Sequence, residues 1–125
     1  MEVTGMNHFT VLTTNLESSV QFYAQILGLS VGARPGLSLA GAWLYCNGAP
    51  IVHLISSETS ASPFGVLDHM AFSARDLPGF QQRLQSLGIP FSLSQQTDTG
   101  IWQLFFRDPD GAKIELDFAP SEMTE

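Results

Sequence analysis

Positive charge is scarce in this chain of 125 residues. Lys and Arg together number five, against 12 Asp and Glu, for a formal charge of -7. The five cations, Arg34, Arg75, Arg83, Arg107 and Lys113, form no run in the sequence. A surface that tracks nucleic-acid phosphates is therefore excluded from the expectation. Cysteine is scarcer still: Cys46 is alone, so no internal disulfide can form, and a reducing compartment is compatible. No apolar run is long enough to span a bilayer, and the N-terminus lacks a basic-then-apolar signal pattern. A cytoplasmic protein with no membrane partner is the expectation. Charged residues make up 14% and apolar residues 44%, which supports one domain with a large buried core.

The chain alternates strand and helix signals. Asn7–Thr13 is rich in β-branched and aromatic residues and predicts a strand. Asn15 predicts a helix N-cap, Val20, Phe22, Tyr23, Ile26 and Leu27 an apolar stripe, and Gly28 the stop. Strands follow near Leu29–Arg34, Gly41–Cys46 and Ile51–Ser56, with Asn47-Gly48 as a hairpin turn. Residues 57–65 are small and polar and predict a linker. The pattern then recurs. A strand over Leu67–Ser73 precedes a helix capped by Asp76, with Pro78 in its first turn. Strands at Phe91–Ser94, Ile101–Arg107 and Lys113–Phe118 follow, the last entered through the turn Asp108-Pro109-Asp110-Gly111. Residues 119–125 are expected to be a loose tail. Cys46 is expected to be a buried, inert thiol.

Two modules, about 5–56 and 66–118, thus each predict strand, helix, strand, strand, strand. Asn7-His8 matches Asp68-His69, Leu27-Gly28-Leu29 matches Leu87-Gly88-Ile89, and His53 matches Glu115. Such a repeat signals units that bury their apolar faces together. The fold class expected is α+β, with two βαβββ modules forming a curved mixed sheet and helices outside. Every histidine in the chain, His8, His53 and His69, and Glu115 fall at repeat-equivalent positions on predicted strands. Imidazole nitrogen and carboxylate oxygen are the donors of a divalent first-row ion, so these four are candidate metal ligands should the strands curve around a shared cavity.

These residues resemble the vicinal oxygen chelate superfamily, the glyoxalase, bleomycin-resistance and extradiol-dioxygenase group. The resemblance rests on Asn7-His8-Phe9, on Phe22-Tyr23 before Leu27-Gly28-Leu29, on Asp68-His69-Met70-Ala71-Phe72, and on Phe106 to Gly111 leading into Ile114-Glu115-Leu116. It implies paired βαβββ modules around a metal cleft. It also implies one divalent ion (Zn, Ni, Mn or Fe) on His8, His69 and Glu115, with His53 either a fourth ligand or a base beside a three-ligand metal. Glu115 and His53 are then the candidate catalytic groups. Third-strand aromatics line the cleft in this fold, which makes Trp43, Tyr45, Trp102 and Phe105 candidate substrate contacts; plain core filling is the competing reading. Arg34 either clamps an anionic group or is solvated. The activity implied is a metal-dependent lyase, isomerase or transferase acting on a small oxygenated substrate, working as a homodimer. The alternatives are a small extradiol-type ring-cleaving dioxygenase and a non-catalytic drug- or metabolite-binding protein. The few cations argue against a strongly anionic substrate.

Overall fold

Parallel pairing of the first and last strand of each module sets the architecture. In the computed structural model, which describes residues 1–2, 4–36, 40–59 and 67–123, the chain divides into two compact units, 1–61 and 62–125. Unit 1 contains β1 (Phe9–Thr13), α1 (Leu16–Leu27), β2 (Ser30–Gly32), β3 (Gly41–Cys46) and β4 (Ala49–Ser56). Unit 2 contains β5 (Met70–Ser73), α2 (Leu77–Ser86), β6 (Phe91–Gln95), β7 (Trp102–Arg107), β8 (Lys113–Phe118) and a 3-10 turn at Pro120–Glu122. The α+β class and the two βαβββ modules are as expected. Hydrogen bonding gathers the strands into one four-stranded mixed sheet per module, ordered β1-β4-β3-β2 and β5-β8-β7-β6. Most of the predicted linker, from residue 60 to 65, lies outside the described residues.

In unit 1 the sequence dictates the helix ends. Asn15 takes an extended backbone, and its side chain accepts from Ser18 N at 3.0 Å, occupying one of the unpaired donors of the first turn. The buried hydroxyls of Thr13 and Ser19 bond at 2.7 Å and tie the end of β1 to the helix start. Gly28, at φ 68°, turns the chain out of the helix as the left-handed cap that only glycine adopts without strain. Tyr23 and Ile26 on α1 are buried with Leu44, Val52 and Leu54 of the sheet. Asn47 and Gly48 both have positive φ, the signature of the two-residue β3–β4 hairpin. Cys46 is exposed, contrary to the buried thiol expected: it shares the parity of the buried Ala42 and Leu44, but it ends β3 beyond the register shift at Leu44/Tyr45, where the hairpin turn begins.

In unit 2 Ile114, Leu116 and Phe118 of β8 form the helix-side core, with Phe118 edge-on to Phe80 of α2 at 5.7 Å. The turn into β8 is held by Asp108, whose Oδ1 accepts from Asp110 N and Ala112 N. That is the local side-chain bonding that makes aspartate a turn former. The tail, expected to be loose, folds back as far as Met123. The Glu122 carboxylate accepts from Asp76 N at 3.1 Å and Leu77 N at 3.0 Å, covering the N-terminus of α2 beside the Asp76 cap. A carboxylate there satisfies unpaired donors and meets the positive end of the helix dipole.

Candidate functional site

Strand alternation sends the second face of each sheet away from its helix, and the candidate residues gather on that face. In unit 1, His53 of β4 pairs with Thr10 of β1 on one side and Trp43 of β3 on the other. His8 lies one residue before β1, so the predicted strand starts later than expected; the parallel ladder first engages at Phe9–Val52. The three rings stack. His8 and His53 have centroids 3.8 Å apart at 9°, and Trp43 and His53 are 4.1 Å apart at 14°.

Hydrogen bonds fix which nitrogens are available. Asn7 Oδ1 accepts from His8 Nδ1 at 2.7 Å, so the lone pair of His8 is on Nε2. His53 Nε2 donates to the Pro50 carbonyl at 3.1 Å, which leaves its lone pair on Nδ1. Burial and then the nearby His8 ring hold the His53 pKa below the usual imidazole range; the Pro50 carbonyl opposes this and Arg34 adds to it. The Arg34 guanidinium lies across Gly41, where a Cβ would come within 2.9 Å of Nη2. The Tyr45 hydroxyl donates to the Ala33 carbonyl and its ring covers Gly32, so its one O–H is already committed.

Unit 2 repeats the arrangement with a carboxylate. Glu115 on β8 pairs with Ala71 of β5 and with Phe105 of β7. His69, one residue before β5, points Nε2 at Glu115 Oε1, 3.1 Å away, while Asp68 Oδ2 holds its Nδ1 at 2.7 Å. Glu115 is 6% exposed. Gln103 Nε2 donates to its other oxygen at 3.4 Å. Asp117, next on the same face, is pushed up to about 6, by burial first and then by its contact with Glu115. Phe105 stands edge-on to His69, and Lys113 Nζ is 5.1 Å from the Phe105 ring centre. Trp102 is a correction. It pairs with Phe118 and shares the helix-side face, opposite to Phe105, and its Nε1 donates to the Pro120 carbonyl at 3.3 Å. Residues an odd number apart on one strand cannot line one face.

The residues brought together are thus His8, His53 and Trp43 in unit 1, and His69, Glu115 and Phe105 in unit 2. Among the described residues no group of three or more His, Cys, Asp or Glu is gathered as a metal site; each unit offers a pair. The unit 2 pair fits a metal by its donor chemistry. Two ligands on one ion, each about 2.1 Å from it, stand roughly 3.0–3.4 Å apart, and His69 Nε2 to Glu115 Oε1 is 3.1 Å. The Asp68 contact on the other ring nitrogen is the outer support that ligating histidines ordinarily have. In unit 1, the parallel stack aims at most one of the two rings at a common ion, since metal–nitrogen bonds lie in the imidazole plane. Asn7, Asp68, Gln103, Asp117 and Lys113 were not among the expected site residues. Alternation counted from Glu115 points to Lys113 and Asp117; the equivalence of His8 and His69 points to the residue before each.

Known proteins share this arrangement of modules. The family model described as Glyoxalase/Bleomycin resistance protein/Dioxygenase superfamily matches residues 5–116. The chain is 31% identical over 126 residues to Glyoxylase I 4 of Arabidopsis thaliana, covering 93% of this chain and 71% of that protein. It is 33% identical over 129 residues to metallothiol transferase FosB of Staphylococcus epidermidis, covering 93% and 82%. In fold it is similar to the E126Q variant of the fosfomycin resistance protein FosX from Listeria monocytogenes, crystallised with Mn(II) and a dihydroxypropylphosphonic acid. There the TM-score is 0.78 at 14% identity, covering 94% of each chain. A match over nearly all of both modules, together with the two repeat-equivalent pairs, places this chain in the Glyoxalase/Bleomycin resistance protein/Dioxygenase superfamily.

Proposed function

We propose that the chain is a metal-dependent lyase, isomerase or transferase acting on a small oxygenated molecule, with His69 and Glu115 as ligands of a divalent ion and His8 as a further candidate ligand. The observation that supports this most is the pairing of His69 Nε2 with Glu115 Oε1 at 3.1 Å, backed by Asp68 on Nδ1, and the echo of that clamp by Asn7 on His8. When bound, such an ion supplies Lewis acidity and a template for two adjacent substrate oxygens.

The chain's own residues do the rest. Asp68 and Asn7 hold the imidazoles in the tautomer that presents Nε2. Gln103 orients Glu115 through Oε2. His53 is assigned as a base and not a fourth ligand. Its Nε2 is spent on Pro50, its Nδ1 lone pair is unprotonated in the neutral ring, and its lowered pKa keeps it in that form near neutral pH. Trp43 holds the His53 ring flat by stacking. Phe105 offers an apolar wall beside Glu115. The homodimer and the cytoplasmic setting belong to the same reading.

The test is metal content and affinity by elemental analysis and zinc or manganese titration. About one equivalent per chain is expected in the parent. Affinity lost in His8→Ala, His69→Ala and Glu115→Ala but kept in His53→Ala supports the assignment. Affinity unchanged in Glu115→Ala overturns it.

A further inference from the structure

Two of the five cations of this acidic chain face each other. Arg107 on β7 and Lys113 on β8 are direct partners across an antiparallel ladder. Like charges placed so are unfavourable. Both side chains turn elsewhere for compensation: Arg107 Nη1 donates to the Gly111 carbonyl at 2.8 Å, and Lys113 Nζ is 3.5 Å from the exposed Asp68 carboxylate. The pair lines a cavity of about 380 Å³ beside the edge strand β6, whose other walls include Ile89, Pro90, Phe91 and Phe105. That size is within the range of small-molecule sites, which combine apolar walls with a few fixed polar groups.

We propose that this cavity binds a small molecule with a flat apolar body and one anionic group, a carboxylate or a phosphate ester. The body lies against Phe105 and Pro90, and the anion lies between Arg107 and Lys113. Such a ligand relieves the repulsion across the ladder, and the guanidinium supplies a planar fork suited to either oxyanion. The cavity lies in unit 2; it shares Phe105 with the proposed metal site but needs no metal.

Calorimetric titration of the chelator-treated full chain tests this, with benzoate, phenyl phosphate, inorganic phosphate and neutral benzamide as probes. Benzoate or phenyl phosphate is expected to bind at least tenfold more tightly than benzamide and than inorganic phosphate. The tighter of the two identifies the anion. Arg107→Gln and Lys113→Gln are each expected to weaken that probe by about tenfold or more, while melting cooperatively. Ser92→Tyr, which fills the cavity without removing a charge, is expected to abolish binding even if either charge variant fails to fold. Affinity is expected to be the same with and without added zinc, which separates this site from the metal ligands. Equal affinity for benzamide, binding that survives Ser92→Tyr, or binding that appears only with added metal each overturn the proposal.

Discussion

His69 Nε2 stands 3.1 Å from Glu115 Oε1, and the opposite nitrogen of the same ring is held by Asp68 at 2.7 Å. The imidazole is thus fixed at both ends before anything binds. A ligand held in place in this way loses little freedom on coordination, so its support matters to affinity.

Asp68→Ala is expected to weaken zinc or manganese affinity by about 10- to 100-fold, the range found when outer partners of ligating histidines are removed. Asn7→Ala is expected to weaken it less, because a neutral amide is the poorer acceptor. Competition titration with a chromophoric chelator reads both. Equal affinity in Asp68→Ala and the parent would remove the positioning role.

Metal addition is expected to raise the melting temperature. At a free metal concentration of 100 times Kd the stabilisation is about 2.7 kcal/mol. The double variant His8→Ala/Glu115→Ala is expected to melt at the same temperature with and without metal. A shift of parental size in that variant means the metal binds elsewhere.

Glu122→Ala is expected to cost about 1 kcal/mol, the usual scale for losing an acceptor at a helix N-terminus. Urea denaturation measures it. Truncation after Ala119 is expected to cost as much or more, since it also removes the Pro120 carbonyl that accepts from Trp102. A tail with no structural role would leave both midpoints unchanged.

Leu116→Ala is expected to cost about 2–5 kcal/mol, because Leu116 is 1% exposed in the helix-side core of β8. Its neighbours Glu115 and Asp117 point the other way, so metal affinity in the folded variant is expected to stay within twofold of the parent. A large loss of affinity with an intact fold would mean that the two faces of β8 are not independent.

Much of the fold was legible because local chemistry and global pattern agree. Asn15, Gly28, Asp76 and the Asn47-Gly48 and Asp108–Gly111 turns each have a backbone requirement that few residues satisfy, and each stands where the sequence put it. β3 and β8 match their expected limits. The repeat marked His69 and Glu115 only as separate candidates; their contact depends on the parallel β5–β8 register, which sets Glu115 opposite Ala71. Trp102 was misplaced because residue type was weighed above alternation; Phe105 and Trp102 are three apart and must face opposite ways. Gln103 was invisible for another reason. Its contact with Glu115 depends on the β7–β8 register, which no single strand reveals. The stack of His8, His53 and Trp43 depends on three strands at once, and the grip of Glu122 on α2 spans 46 residues of sequence.

The exposed thiol at the end of β3 makes this protein its own optical instrument. Cys46 is the single cysteine, so a maleimide dye couples at one place. Trp43, three residues back along the same strand and roughly 10 Å away, is stacked on His53. Any event that unstacks that imidazole changes the Trp43 emission, over the constant background of Trp102, and with it the light passed to the dye, so a change in the stack can be followed in real time.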